Sequence, residues 1–498
     1  MISFVSNIKN FFTSSKMIFS FATFYLITAF LTFTFITANV KSLIYLSYIL
    51  AIWGAFIIFF NIFKKNNWKF SLQGLLVLLF IISFVISSAF MYQYGITENI
   101  KGLIWLSLEL MILFLLNKEN LNNRYLKIFL IIFVVISTLY SCLSITMAII
   151  GYMHYPLSTV GDTAAGGMAH GRLYGMYSDP NYGAISSVLC ISCLAFLLHN
   201  KKSKFNIIIS SIIVFLNIIY ISLSGSRSGI IVLFIFVFIT SLLWLFISKK
   251  KNILISIICS ILISGTTLSL CIVIEPAYEV IEPQILKVLN GPITNPIHAY
   301  TVQFADKVRA ECGIVDPYIT NNGTEENQNN NESTYQHGEV DSEHIGVLGR
   351  SENQDISNNR FAIWKSALEL FQHSPVIGLS NRNFSDYCKQ NLPNTYLSKM
   401  QWTSLHNAFL DVLISQGIIG ILLWLGILLI ILINLISEYR VNKNDSRYAV
   451  LIGIYFGLIA MCMFYSELIY VNTIGSVFFW YVFGHLNKNK RYIIKKKK

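Results

Sequence analysis

Arg172, Arg227, Arg360 and His406 are the side chains that could do chemistry in an otherwise apolar chain. A guanidinium is planar, stays charged at any relevant pH and can hold two phosphate oxygens at once. Three of them arriving on different segments could converge on one diphosphate. An imidazole with a pKa of about 6.5 is matched to taking a proton from a sugar hydroxyl at neutral pH, and that is what His406 could add. Each has a plainer reading. Arg227, at the edge of an apolar run, can snorkel to lipid headgroups, loop arginines are usually solvated, and a histidine at a membrane boundary is commonly an interfacial hydrogen-bonder. His154, His170, His298, His337, His344 and His373 occupy comparable segments, so histidine content alone does not select His406. No set of His, Cys or carboxylates has metal-ligand spacing, so no metal or other cofactor is expected.

Three polar segments must position these residues. Tyr152–Tyr182 is rich in Gly, Ser and Asp and ends in Arg172-Leu-Tyr-Gly-Met-Tyr-Ser-Asp-Pro-Asn181; Ser224-Gly-Ser-Arg-Ser-Gly229 divides a long apolar stretch into two helices; the third segment runs from Glu275 to Asn407. Asp179 reads equally as a partner that orders the Arg172 loop and as a cap for the next helix. Within the third segment, 321–359 is acidic and asparagine-rich and is expected to be disordered. Asn322 and Asn331 sit in glycosylation-type triplets that such a tract produces by chance. Phe361, Trp364, Leu368 and Phe371 then recur at helical spacing, closed by Ser374-Pro375.

The remainder is membrane. Hydrophobic residues make up 54% of the 498 and charged residues only 12%, against roughly 25% charged in a soluble chain. Apolar runs of the length needed to span about 30 Å of hydrocarbon as helix recur along the chain. The expected fold is an all-α integral membrane protein of about twelve transmembrane helices, at 17–37, 43–63, 71–90, 102–116, 128–151, 183–198, 205–223, 229–247, 253–274, 417–436, 448–468 and 470–486, with one large extracytoplasmic loop containing short helices. That divides the chain into 1–274 (nine spans and the outer loop 152–182), the loop 275–407, and 408–498 with three spans and a basic tail. The first run is long and followed at once by a second span, so an anchored helix is expected rather than a cleaved signal.

The net charge of +12 invites a nucleic-acid partner, but its distribution excludes one. Lys64, Lys65 and Lys69, Lys118, Arg124 and Lys127, Lys201 to Lys204, Lys249 to Lys251, Arg440, Lys443 and Arg447, and Lys495 to Lys498 all fall in alternate connections. This positive-inside pattern puts both termini in the cytoplasm and the Arg172, Arg227, Arg360 and His406 segments outside. The basic tail reads as a topology anchor touching membrane lipid. Cys190-x-x-Cys193 lies in an apolar helix and reads as packing, whereas Cys312 and Cys388 share the large loop, where a disulfide could form or not. Mid-span charge is confined to Glu109.

The motifs Arg172 to Asn181 ending in Asp-Pro-Asn, Ser224 to Gly229, Arg360-Phe-Ala-Ile-Trp364 with His373-Ser-Pro-Val-Ile-Gly378, and Leu405-His-Asn-Ala-Phe409 with Gln416-Gly-Ile-Ile-Gly420 resemble, in order and in place, the O-antigen ligase and Wzy-type polysaccharide polymerase family over roughly residues 160 to 440. The resemblance implies a bacterial membrane glycosyltransferase that acts outside the cytoplasmic membrane on undecaprenyl-diphosphate-linked glycan, as donor and acceptor, without a required metal. It implies that Arg172, Arg227 and Arg360 hold the donor diphosphate, that His406 acts as base on or orients the acceptor, that Arg227 and His406 are catalytic, and that Asp179, Asn181 and Asn407 support the site. A flippase and a chain-length regulator are the further partners. The chain departs from the family pattern by a long acidic insertion between Lys307 and Arg360, which leaves Arg350 ambiguous.

Three activities are to be weighed. A polymerase moves the growing glycan onto a new lipid-linked repeat unit, in O-antigen, capsule or exopolysaccharide synthesis. A ligase moves finished glycan onto a final acceptor. A flippase or transporter would place charge in the middle of several spans, which this chain does not.

Overall fold

The computed structural model describes residues 9–37, 43–62, 71–117, 119–154, 164–169, 171–199, 203–289, 359–381, 384–399 and 404–486. Cys312, Arg350, His170, the two glycosylation-type triplets and the acidic tract 321–358 lie outside them.

Apolar sequence without charge becomes helix wherever the chain must satisfy its own backbone in hydrocarbon. The helices are α1 (Ser15–Thr32), α2 (Leu43–Ile62), α3 (Leu72–Phe90), α4 (Ile96–Ser107, continued by a π-helical stretch Leu108–Leu115), α5 (Arg124–Ile149), α6 (Pro180–Leu197), α7 (Lys204–Leu223), α8 (Arg227–Leu243), α9 (Ile253–Leu289), α10 (Arg360–Phe371), α11 (Phe384–Asn391), α12 (Ala408–Val441), α13 (Ser446–Met461) and α14 (Ile474–Gly484). Nine helices among the described residues are long and apolar enough to cross a membrane, so the chain is a multi-pass membrane protein. The other three expected spans coincide with shorter pieces: α4 with its π stretch, α13 and α14.

Helix α14 is buried at every residue and α6 at most of them, whereas α2 and α9 present long apolar faces outward, including Ile52, Phe56, Ile255 and Leu262. Trp424, Trp480, Phe478, Tyr481 and Phe133 fill the main core. Glu109, fully buried in the π stretch, accepts a hydrogen bond from the Ser476 hydroxyl at 2.7 Å.

Three local departures from the sequence reading matter for the site. The 152–182 segment, expected as a loop of an all-helical protein, holds a small antiparallel sheet, β1 (Met153–His154), β2 (Gly166–Ala169) and β3 (Arg172–Gly175), in the order β1-β2-β3. Its register pairs Ala169 with Arg172. Glycine-rich sequence hid the strands, because the alternation that marks a strand needs side chains to alternate. Helix α9 runs on to Leu289, past the expected end at 274, with Pro276 and Pro283 inside it.

The third departure is at α12, which begins at Ala408 directly after the Asn407 cap rather than at 417. Gly417 breaks it, with φ 64° and ψ −161°. The break exposes backbone groups that residues 375–380 satisfy: Leu379 and Ser380 donate to the carbonyls of Ile414 and Ser415 at 2.7 and 2.9 Å, and Ile418 donates to Pro375 at 2.8 Å. The close approach leaves no room for a Cβ at either glycine, since one on Gly417 would lie 2.2 Å from the Val376 carbonyl oxygen and one on Gly378 would lie 2.4 Å from the backbone of Ser415. Ile363, Ala367, Leu370, Leu379, Leu405 and Ile414 form a second apolar core that seats α10 on this end of α12.

Candidate functional site

Helix α6 starts where the sequence says it can: Asp179 caps it, accepting the Asn181 amide at 2.8 Å, and Pro180 occupies the first turn. Asp179 makes the cap directly and reaches the Arg172 segment through the side chain of Asn181. The Ser224–Gly229 segment is a helix end and a helix start back to back. Ser224 terminates α7, Gly225 takes the left-handed conformation (φ 57°), and Ser226 caps α8 by accepting from Gly229 at 3.1 Å, which leaves Arg227 as the first helical residue.

These two helix starts are joined through Asn181. Its amide oxygen accepts from Ser226 at 2.7 Å and from Arg172 Nη2 at 3.4 Å; its amide nitrogen donates to Asp179 at 2.8 Å and to the Tyr465 hydroxyl at 2.7 Å. Arg172, carried on β3, is further fixed by donation from Nε to the Ser224 carbonyl at 2.8 Å. Gly225 lets the arginine stem lie across the turn, since a Cβ there would sit 3.3 Å from the side chain.

His406 occupies a corner with φ 50°, a conformation in which His is over-represented among non-glycine residues. The residue before it is gripped on both backbone groups: the Leu405 N–H donates to Asp411 at 3.1 Å, and the Leu405 carbonyl accepts from the Trp364 indole at 3.1 Å. The His406 N–H donates to the Ser404 hydroxyl, which meets Ser466 at 2.7 Å, and Ser466 in turn bonds Asp411. Asn407 is committed to capping α12, accepting from Phe409 and Leu410 at 3.0 and 3.2 Å.

Tyr465, in the irregular stretch between α13 and α14, connects the two halves. Its hydroxyl donates to Asp179 at 2.6 Å, the Arg360 guanidinium lies 5.9 Å from its ring centroid, and the His406 ring meets it edge-on at 5.8 Å. Burial holds the His406 imidazole below its ordinary pKa, the Arg360 charge lowers it further and Asp179 opposes them. His406 is therefore neutral at neutral pH. Its Nδ1 is buried with no hydrogen-bond partner among the described residues.

Segments bearing Arg172, Arg227, Arg360 and His406 thus meet at one end of the bundle. Among the other histidines, His373 pairs with Tyr387 and His154 packs on Phe35. Sequence reading missed Tyr465, Asp411, Ser404 and Ser466. A cue existed in Tyr465-Ser-Glu467, polar residues at the end of what reads as an apolar span. Among the described residues, no three His, Cys, Asp or Glu side chains converge as a metal ion would need.

Three arginines and a histidine, all half-buried, thus lie on segments that meet around Asn181 and Tyr465. Residues 212–425 match the family model described as O-antigen ligase. Over that stretch the chain is similar to the O-antigen ligase family. The resemblance drawn from the motifs is borne out over that stretch, which contains Arg227, Arg360, His406 and Asn407. Arg172, Asp179 and Asn181 precede the matched O-antigen ligase stretch, and Tyr465 follows it. A Haemophilus influenzae protein described as uncharacterized is 20% identical over 138 residues, 27% of this chain, and the match spans 35% of that relative's length.

Proposed function

We propose that this chain polymerises undecaprenyl-diphosphate-linked oligosaccharide repeat units at the outer face of a bacterial cytoplasmic membrane, with both termini in the cytoplasm. The observation that carries the reading is the meeting of Arg172, Arg360 and His406 around Asn181 and Tyr465, with Arg227 one residue from the serine that bonds Asn181.

In this reaction the acceptor sugar oxygen forms a bond to the donor anomeric carbon while the bond from that carbon to the diphosphate oxygen breaks. The electron pair leaves with the undecaprenyl diphosphate, whose growing negative charge Arg172, Arg227 and Arg360 stabilise. The acceptor hydroxyl proton passes to His406, which depressed basicity keeps neutral and ready to receive it. A positioned base of this kind typically contributes about 10² to 10⁴ in rate. Asp179 and Asn181 hold the Arg172 segment, and Asn407 holds the helix start behind His406.

Ligation of finished glycan to a final acceptor uses the same donor chemistry. The test is glycan length on a gel from a strain lacking the gene, complemented at matched membrane abundance with wild type, Arg227→Ala or His406→Ala. Single-repeat glycan in the null and in both variants supports polymerisation by this site. Full-length glycan left on its carrier lipid identifies a ligase, and unchanged polymer with either variant removes that residue from the mechanism.

A further inference from the structure

Tyr465 touches Asp179, Asn181, Arg360 and His406 at once. Its hydroxyl has one proton to give, which goes to Asp179, and it accepts from Asn181, so the oxygen is held from both sides at 2.6 and 2.7 Å. The phenol is thereby fixed in orientation. Its ring then presents one station to the Arg360 guanidinium and another to the His406 imidazole. The backbone of the same residue accepts from Ala408 at 3.1 Å, and the adjacent Ser466 reaches Asp411 and Ser404. The hydroxyl faces the Arg172 side and the ring faces the His406 side.

We propose that Tyr465 is a positioning residue that keys the Arg360–His406 pair to the Arg172–Asn181 segment, so that the donor diphosphate and the acceptor hydroxyl are presented in one register. This rests on the glycosyl-transfer reading above. A phenol held by two hydrogen bonds takes no proton from substrate itself; it acts through the groups it spaces. The charged and titratable groups facing His406 come from α10 (Arg360), from the turn before α6 (Asp179), from the α13–α14 connection (Tyr465) and, through the Leu405 amide, from α12 (Asp411). The ring also supplies part of the cover that holds the imidazole basicity down, so a variant without it gives His406 back to water.

The hydroxyl and the ring therefore make separable predictions. Full-length protein in lipid nanodiscs is compared as wild type, Tyr465→Phe and Tyr465→Leu, with two readouts. The first is turnover and donor KM for a lipid-linked repeat across pH. The second is the rate at which diethyl pyrocarbonate modifies His406, followed by peptide mass spectrometry, which reports neutral imidazole and needs no substrate.

Tyr465→Phe keeps the ring and loses only the two hydrogen bonds. Its turnover should fall by about tenfold or more, since small misplacement of reacting groups is costly in rate, with donor KM within about threefold, as expected for loss of alignment rather than binding. The pH midpoint of His406 modification should stay where it is. Tyr465→Leu should raise that midpoint and move the acid limb of the rate profile upward with it. Wild-type turnover in Tyr465→Phe, or an unmoved midpoint in Tyr465→Leu, overturns the proposal. A wild-type protein that transfers no glycan overturns the glycosyl-transfer reading instead, and the modification arm still decides what Tyr465 does to His406.

Discussion

The indole of Trp364 donates to the carbonyl of Leu405 at 3.1 Å, which ties the helix that begins with Arg360 to the residue before His406. A charge-stabilising group and a base on separate segments can act on one substrate only if their spacing is fixed, and this bond is one of the devices that fixes it.

Trp364→Phe should therefore lower activity more than stability. It leaves a buried carbonyl without its donor, a loss of about 1 to 3 kcal/mol, while the second apolar core keeps α10 in place. Thermal unfolding in detergent and polymer length in complemented cells measure the two effects. An equal fall in both would make Trp364 a plain packing residue.

Arg172 uses the shape of its guanidinium, donating from Nε to Ser224 and from Nη2 to Asn181. Arg172→Lys keeps the charge but has no fork, so it should reduce polymerisation by about tenfold or more at matched abundance. Wild-type glycan in that variant would show that charge alone suffices there.

The pH dependence of turnover has a definite sign. A base must be unprotonated to act, and the His406 imidazole is held below its ordinary value by burial and then by Arg360. Activity should persist below pH of about 6.5 before it falls. In Arg360→Gln the positive charge is gone, the imidazole becomes more basic, and the acid limb should move to higher pH, whatever the loss in rate. A limb that stays put, or moves down, would mean that another group titrates.

Gly417→Ala asks an alanine to adopt φ 64° while its Cβ meets the Val376 carbonyl oxygen. With ψ at −161° this is a backbone region essentially restricted to glycine, which costs an L-residue on the order of 1 to 3 kcal/mol, and the clash adds to it. The expected result is loss of monodisperse protein on size exclusion in detergent. Gly265→Ala, at a position where a Cβ meets nothing within 4 Å, is the control and should be tolerated.

Much of the site was legible because its residues are out of place chemically: arginines and a histidine at the ends of apolar runs stand out in any hydropathy reading, as do a helix cap in Asp179-Pro180 and a break in Ser224–Gly229. Tyr465 was not legible. Tyrosine is ordinary at a membrane boundary, and averaging over an apolar window carried the expected span through to 468, whereas the helix ends at Met461. Asp411 was passed over because the expected span began at 417, whereas the helix begins at Ala408 and carries Asp411 in its first turn. The sheet beneath Arg172 and the break in α12 depend on backbone pairing between segments distant in sequence, which no local pattern reports.

The interlock of residues 375–380 with the break at Gly417 also bears on how this chain can tolerate its long acidic insertion. The insertion lies upstream of Arg360, while the register of α10 against α12 is set downstream, where Gly378 and Gly417 admit no side chain. Residues can be added or removed before Arg360 without shifting the distance from Arg360 to His406, because the measuring point is on the far side. The spacing of Arg360 and His406 is thereby insulated from the length of the chain before Arg360.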